Sequence, residues 1–388
     1  MTCADLPHPT PTAARPDDST LFVALELSGK SWLVATSAPG EAKVSKRTVA
    51  AGDGPGLLAL LTGLREKAER RSGKPVRVAV IQEAGLDGFW LHRFLEAHDI
   101  ESHVVDAASI AVDRRKRRRK TDAIDVEGLL RALMAWARGE RRVCSMVRPP
   151  SPEAEDRRRL SQERETLLKE RIQHTNRIKG LLAAQGITGF QPLRPDHRAR
   201  LDEMTTGDGR PLPPRLKDEI HRQLARLDVV LADLKAVEAE RDALMIATKP
   251  AVSAETPAAI LLQLKGIGPE FASVLWLELF FRTFSNRREV ASYGGLTPSP
   301  WKSGGIDRDQ GISKSGNPRL RKTMIQVAWL WIRYQPGSAI SRWFAEYAGT
   351  KRGRIRRIAI VAVARKLLIA LWRFVTQGVV PEGAVLRG

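Results

Sequence analysis

Asp122 and Asp125 stand three residues apart, one residue (Thr121) behind seven consecutive basic residues: Arg114, Arg115, Lys116, Arg117, Arg118, Arg119 and Lys120. On a helix, positions i and i+3 project from one face, so the two carboxylates form a hard, oxygen-rich patch of the kind that binds Mg²⁺. The basic run beside them suits a polyanion. Together they point to metal-dependent chemistry on a nucleic-acid backbone. The same residues also read as a surface helix capped by Thr121 or Asp122 behind a solvated charge run. Further carboxylates converging on that point would separate the two readings.

Two more acids are placed to do so. Glu26 interrupts the apolar segment Leu21–Leu27, and Glu83 follows the apolar segment Val76–Gln82. A carboxylate inside an apolar strand is costly unless it is paired, or unless it faces solvent from an edge. Four crowded carboxylates repel one another, and their pKa values rise unless a cation offsets the charge. Two divalent ions about 4 Å apart satisfy such a cluster and clamp the attacking and leaving oxygens of a phosphodiester.

The elements that must position these acids read as α/β. Leu21–Leu27, Ser31–Ser37 and Ala42–Ala50 are strand-like and separated by turn signals, Ser28-Gly29-Lys30 and Pro39-Gly40. A leucine-rich helical pattern covers Gly56–Arg70, followed by the strand Val76–Gln82, a short helix Gly88–His98, the strand Glu101–Asp106 and a helix Thr121–Ala137. The order β-β-β-α-β-α-β-α predicts a mixed sheet covered by helices, as in ribonuclease-H-like folds. There the first and fourth strands are neighbours, which would bring Glu26 beside Glu83.

Beyond residue 150 the pattern turns helical and highly charged. Ile220, Leu224, Leu227, Leu231 and Leu234 step by four and three, a heptad seam. Leu160, Leu167, Ile172, Ile178 and Leu182 make a weaker stripe, and the Pro-, Gly- and Arg-rich segment Gly186–Pro214 between them reads as a loop. The seam predicts either a helical hairpin within the chain or a coiled coil between chains. The last third is mostly helical, with Leu264–Pro269 (LKGIGP), a Gly/Ser-rich stretch Gly294–Asn317, and helices near Pro318–Tyr334 and Arg354–Val375. That last helix reads as core or oligomer interface.

Bulk composition agrees with a nucleic-acid partner. The 388 residues carry 64 Lys and Arg against 44 Asp and Glu, a formal charge of +20. No apolar run approaches the ~18 residues of a spanning helix, and two distant cysteines build neither a disulfide framework nor a zinc site. The expected location is the cytoplasm of a prokaryotic cell, at the nucleoid.

Serines offer a nucleophile. Ser303, in Trp301-Lys302-Ser303-Gly304-Gly305, and Ser313 and Ser315, in Ile312–Asn317, sit in Gly-rich, basic surroundings. A serine there can attack phosphorus if its proton is removed and the phosphate charge neutralised; each also reads as an ordinary loop or cap residue. Gly266 and Gly268 read equally as a phosphate-holding hairpin and as a plain helix–helix turn. Lys302, Lys314, Arg319, Arg321 and Lys322 are candidate phosphate contacts.

The acid in the first strand, Gln82-Glu83-Ala84 and Arg119–Asp125 (RKTDAID) resemble the DEDD insertion-sequence transposases, relatives of the Piv DNA invertases. Leu264–Pro269, Ala291–Pro298 (ASYGGLTP), Ser303-Gly304 and Ile312–Arg321 (ISKSGNPRLR) are similar to that family's C-terminal transposase domain. The resemblance covers about residues 20–375. It implies a RuvC-like catalytic domain at 20–140 after a disordered tail at 1–19, a helical coiled-coil linker at 141–250, and a mostly helical transposase domain at 251–388. It also implies a two-Mg²⁺ site on Glu26, Glu83, Asp122 and Asp125, and Ser303 as the nucleophile that links to a DNA end, with Ser313 second. Donor and target DNA, a structured bridge RNA and a homo-oligomer, dimer or tetramer, come with the family. One departure stands out: Glu26 occupies the family's Asp position, and the extra methylene moves the oxygens by roughly an ångström. Two rivals differ in what they require. A RuvC-like junction nuclease needs no serine, and a non-catalytic nucleic-acid-binding protein needs no carboxylates.

Overall fold

A computed structural model describes residues 19–41, 43–85, 88–106, 109–110, 122–247, 256–303 and 305–387. The chain divides into two compact units, residues 1–149 and 150–388. The basic run Arg114–Lys120 and Thr121 lie outside the described residues.

In the first unit the chain runs β1 (Thr20–Leu27), β2 (Ser31–Ser37), β3 (Ser45–Ala50), α1 (Gly54–Ser72), β4 (Arg77–Glu83), α2 (Trp90–Glu96), β5 (Glu101–Val105), α3 (Asp122–Ala137) and β6 (Met146–Val147). The sheet order is β3-β2-β1-β4-β5-β6. β1 pairs antiparallel with β2 and parallel with β4, and β4 pairs parallel with β5. This is the mixed sheet expected of a ribonuclease-H-like fold.

Alternation in β1 splits its side chains between two layers. Leu21, Val23 and Leu25 pack with Leu57 and Leu61 of α1 and Leu91 and Leu95 of α2. Phe22 and Ala24 pack on the other face with Val126, Leu129, Leu130 and Leu133 of α3. Burial on both faces is why β1 and β4 read as nearly continuous apolar runs. Helix α1 starts two residues before its leucine pattern, because Asp53 caps it by accepting from the Gly56 amide at 2.8 Å. It ends at Gly73, whose φ of 68° is left-handed.

The second unit opens with two long antiparallel-paired helices, α4 (Pro152–Ala183) and α6 (Pro214–Ala247), with the short α5 (His197–Asp202) in the connection. Ile220, Leu224 and Leu227 bury against Ile178 and Leu182, and Leu234 against Leu167. The heptad seam thus closes on a helix of its own chain. There follow α7 (Pro257–Leu262), α8 (Pro269–Glu278), α9 (Arg287–Tyr293), β7 (Pro298–Ser303), β8 (Ile306–Ile312), α10 (Pro318–Tyr334), α11 (Ala339–Ala348) and α12 (Arg354–Gln377). Their core is built on Leu320, Met324, Val327 and Trp331 of α10 and Val363, Leu367, Leu368 and Leu371 of α12. The Gly/Ser-rich stretch 294–317 is not all loop: residues 298–312 form an antiparallel hairpin with a bulge between Pro298 and Pro300. No helix among the described residues is long and apolar enough to cross a membrane.

Candidate active site

The sheet register sets the first part of the site. Leu25 of β1 pairs with Gln82 of β4, so the next position on each strand holds Glu26 and Glu83. Both continue the alternation of residues that face α3: Phe22 and Ala24 on β1, Ala79 and Ile81 on β4. The two carboxylates therefore stand side by side on the face that α3 covers. One oxygen of Glu26 is shut away from solvent. On α3, Asp125 is half-buried and precedes the fully buried Val126. The helix is fixed on the sheet by its apolar stripe and by Glu127, which pairs with Lys46 of β3 at 2.5 Å.

Asp122 begins α3, one turn before Val126, but its side chain lies outside the described residues. Among the described residues no three His, Cys, Asp or Glu side chains approach closely enough to hold a metal ion. The donor set nevertheless fits a hard divalent cation: the groups are all carboxylates, two of them at adjacent register positions. Cys144 offers no alternative ligand, because burial surrounds it with apolar contacts and pushes its thiol pKa up.

The candidate serines lie in the C-terminal unit. In the hairpin, Ser303 pairs with Ile306 at the tip, whereas Ile312, next to Ser313, pairs with Pro298 at the base. The two candidate serines thus occupy opposite ends of one hairpin. Ser303 and Lys302 are placed by their backbone alone, their side chains lying outside the described residues. Ser313 is held in a hydroxyl cluster, with Thr297 Oγ1 and Ser315 Oγ each 3.2 Å from its Oγ. Lys314 beside it is exposed and has a left-handed φ of 58°.

Two glycine-bearing segments press together at that base. A Cβ on Gly295 would lie 2.1 Å from the Ser315 carbonyl oxygen, and one on Gly316 would lie 2.3 Å from the Tyr293 oxygen. Both also have positive φ, so only glycine fits. The segments Tyr293–Pro298 and Ile312–Pro318 are therefore the two stems of one hairpin.

Asn317 fastens the stem. Its side chain caps α10 by accepting from Leu320 N at 3.0 Å, and its Nδ2 donates to Glu278 at 2.7 Å and to the Tyr293 hydroxyl at 3.2 Å. Glu278 ends α8, is nearly inaccessible, and also accepts from Arg158 of α4 at 2.9 Å and Arg319 of α10 at 3.4 Å. Arg319 bonds Glu165 of α4 as well, at 2.7 Å. Burial works to raise the Glu165 pKa, but Arg319, Lys322 and Lys169 outweigh it and hold the carboxyl low. Next to this group, Glu270 takes Arg164 and Arg241, yet burial keeps its pKa above the usual range.

The candidate phosphate contacts therefore separate. Arg319 is turned inward and saturated by carboxylates; Arg321 is half-buried against Gly295; Lys322 is mostly exposed, with Glu165 3.4 Å away. Gly266 makes a left-handed turn against Tyr334, where a Cβ would clash at 2.9 Å. The turn is tied to the chain's end by Lys265 N donating to Val385 O. Packing thus accounts for Gly266, while Gly268 caps α8 ahead of Pro269. The Asn317–Glu278 link escaped sequence reading. Asn before Pro was a cap signal in plain view, but its carboxylate partner is distant in sequence.

Known proteins match both parts. Residues 28–185 match the DEDD transposase family of IS110 elements, the match starting just past Glu26, and residues 258–343 match the Transposase IS116/IS110/IS902 family. The chain is 57% identical to a Sinorhizobium fredii protein named "Putative transposase y4rJ", over 97% of each chain. The chain belongs to the IS110 family of DEDD transposases. More distant members are the transposase for insertion sequence element IS1328 of Yersinia enterocolitica (26% identical, 67% of this chain and 73% of that one) and the transposase for IS1111A of Coxiella burnetii (26%, 78% of each). Membership makes this IS110-family protein an enzyme of DNA transposition, one that cleaves and transfers DNA strands.

Proposed function

We propose that this transposase cuts and rejoins donor and target DNA through a serine–DNA intermediate. Ser303 is the nucleophile, and Glu26, Glu83, Asp122 and Asp125 are the carboxylates that hold divalent metal, Mg²⁺ by donor type. The observation that carries the reading is the adjacency of Glu26 and Glu83 on the sheet face covered by the helix that bears both aspartates. Bound there, divalent ions would neutralise the phosphodiester and stabilise the charge that develops on its oxygens.

The chain's own residues do the rest. Ser303 Oγ loses its proton and bonds to phosphorus; one bond from phosphorus to a deoxyribose oxygen breaks, and that oxygen leaves as a hydroxyl carrying a proton. Attack on the phosphoserine by another strand's hydroxyl reverses the step and frees Ser303. The energy of the phosphodiester is kept, so no nucleotide cofactor is required. Ser303 is favoured over Ser313 because it stands in the Pro298-x-x-x-x-Ser303-Gly segment that resembles the family's, whereas Ser313 sits at the hairpin base inside a hydroxyl cluster. Arg114–Lys120, Lys302, Lys314 and Lys322 are the proposed backbone contacts. A formal charge of +20 is enough to hold two duplexes and a guide RNA. We assign target choice to such a bridge RNA, bound by a dimer or tetramer working at the nucleoid, on the family resemblance.

The test is to trap the protein–DNA adduct on a labelled element-end duplex and map it by mass spectrometry. Ser303→Ala is expected to abolish the adduct and strand transfer together. Adduct mapped to Ser313, or cleavage that survives Ser303→Ala, would reject the assignment; the second result would favour hydrolysis by a RuvC-like nuclease.

A further inference from the structure

The C-terminal unit contains a cavity of about 530 Å³ that none of the roles above uses. Arg287 and Arg288 of α9 and Arg365 and Lys366 of α12 line it, over an apolar floor that includes Ile340 and Ile369. Among the described residues no carboxylate lines it. Glu289, the nearest acid on α9, is occupied by the Ser285 amide and the Asn286 side chain. The contrast within the same unit is plain: Arg158, Arg164, Arg241 and Arg319 are each neutralised by a carboxylate. Four like charges gathered without counter-charge raise a strong local positive potential, which an anion relieves.

One lining residue, Lys366, also meets an aromatic pair. Lys366 Nζ lies 4.6 Å from the ring centre of Trp343 on α11. Trp343 stacks flat on Tyr347, with centroids 5.4 Å apart and planes 6° from parallel. Tyr347 is 47% exposed, and Lys351 Nζ stands 5.1 Å from its ring centre. Cations that track phosphates, alternating with aromatic faces that accept bases, are the arrangement by which single strands are bound. A duplex keeps its base faces stacked inside, so a solvent-facing ring gains nothing from it except at an end.

We propose that this cavity and the Trp343–Tyr347 stack bind an unpaired stretch of nucleic acid. Arg287, Arg288, Arg365 and Lys366 hold its phosphates, and an unstacked base takes the place of the Lys351 ammonium over Tyr347. The proposal rests on the reading of the protein as a strand-transferring enzyme only for where such a strand would come from.

The experiment uses the full-length Ser303→Ala protein, so that chemistry does not intervene, and fluorescent oligo-dT, oligo-U and a blunt duplex as probes. Arg365→Ala/Lys366→Ala should make the salt dependence of single-strand binding shallower, by roughly 1.4 in log–log slope at ~0.7 per phosphate lost. Tyr347→Ala should weaken single-strand binding roughly ten-fold and leave duplex binding unchanged, while Tyr347→Phe, which keeps the ring, should bind like its parent. The dT and U arms tell whether the strand is DNA or RNA. Single-strand affinity unmoved by these variants, an equal loss for strand and duplex, or a changed oligomer mass, which would make the patch a subunit interface, overturns the proposal. A missing serine adduct in the unmutated protein sinks the nucleophile assignment alone; indifferent strand binding sinks this one alone.

Discussion

The acids and the serine are supported in opposite ways. Glu26 and Glu83 are set by the register of two central strands buried on both faces, with α3 packed across them. Ser303 is set at the tip of a two-stranded hairpin, a structure of marginal stability alone, which is fastened at its base by Gly295, Gly316, Asn317 and Glu278. The difference matches what the proposed chemistry needs at each place. A cation site must exist before substrate arrives, because ligands misplaced by an ångström lose it. A nucleophile that bonds to a strand and releases it gains from reach.

The largest effect should come from the sheet. Glu83→Gln keeps shape and removes charge at the end of β4, and we expect strand cleavage to fall by about 10³-fold with the melting temperature hardly changed. Single-turnover cleavage and a thermal melt measure the two. A large loss of stability with little loss of cleavage would make Glu83 structural and dissolve the contrast.

At the hairpin, stability should be at stake. Glu278→Ala would strand Arg158, which is 20% exposed, leave Arg319 to Glu165 alone, and release the Asn317 amide from its carboxylate. Breaking such a pair costs about 3 kcal/mol, readable by urea unfolding. A change below about 0.5 kcal/mol would mean that the stem is held by its glycines alone.

A smaller effect distinguishes the first unit by pH. Burial lowers the His92 pKa below its ordinary 6.5, with Glu96 opposing. The unfolded chain therefore takes up the proton first. Stability linked to His92 is complete above about pH 6.5 and declines as pH falls toward the lowered folded value. Unfolding followed between about pH 7.5 and 5.5 should show this decline, and His92→Gln should flatten it.

The two regions also differed in what the sequence disclosed. β1 and β4 are buried on both sides, so their runs were legible, and strand order alone put Glu26 beside Glu83. The hairpin was hidden because Pro298, Pro300, Gly305 and Gly311 break both strand alternation and apolarity. Arg319 looked like a phosphate contact, since the carboxylates that turn it inward, Glu165 and Glu278, come from other helices. The seam from Ile220 to Leu234 fitted a partner chain as well as α4, because periodicity records an apolar stripe and not what covers it.

The central claim is that acids from β1, β4 and α3 gather around shared divalent metal. Fe²⁺ substituted for Mg²⁺ in the DNA-free protein, with ascorbate and peroxide, cuts the backbone beside the bound ion. The account predicts cuts clustered near residues 26, 83 and 122–125 that vanish with excess Mg²⁺ and in Glu83→Gln; cuts elsewhere, or none competed by Mg²⁺, would contradict it.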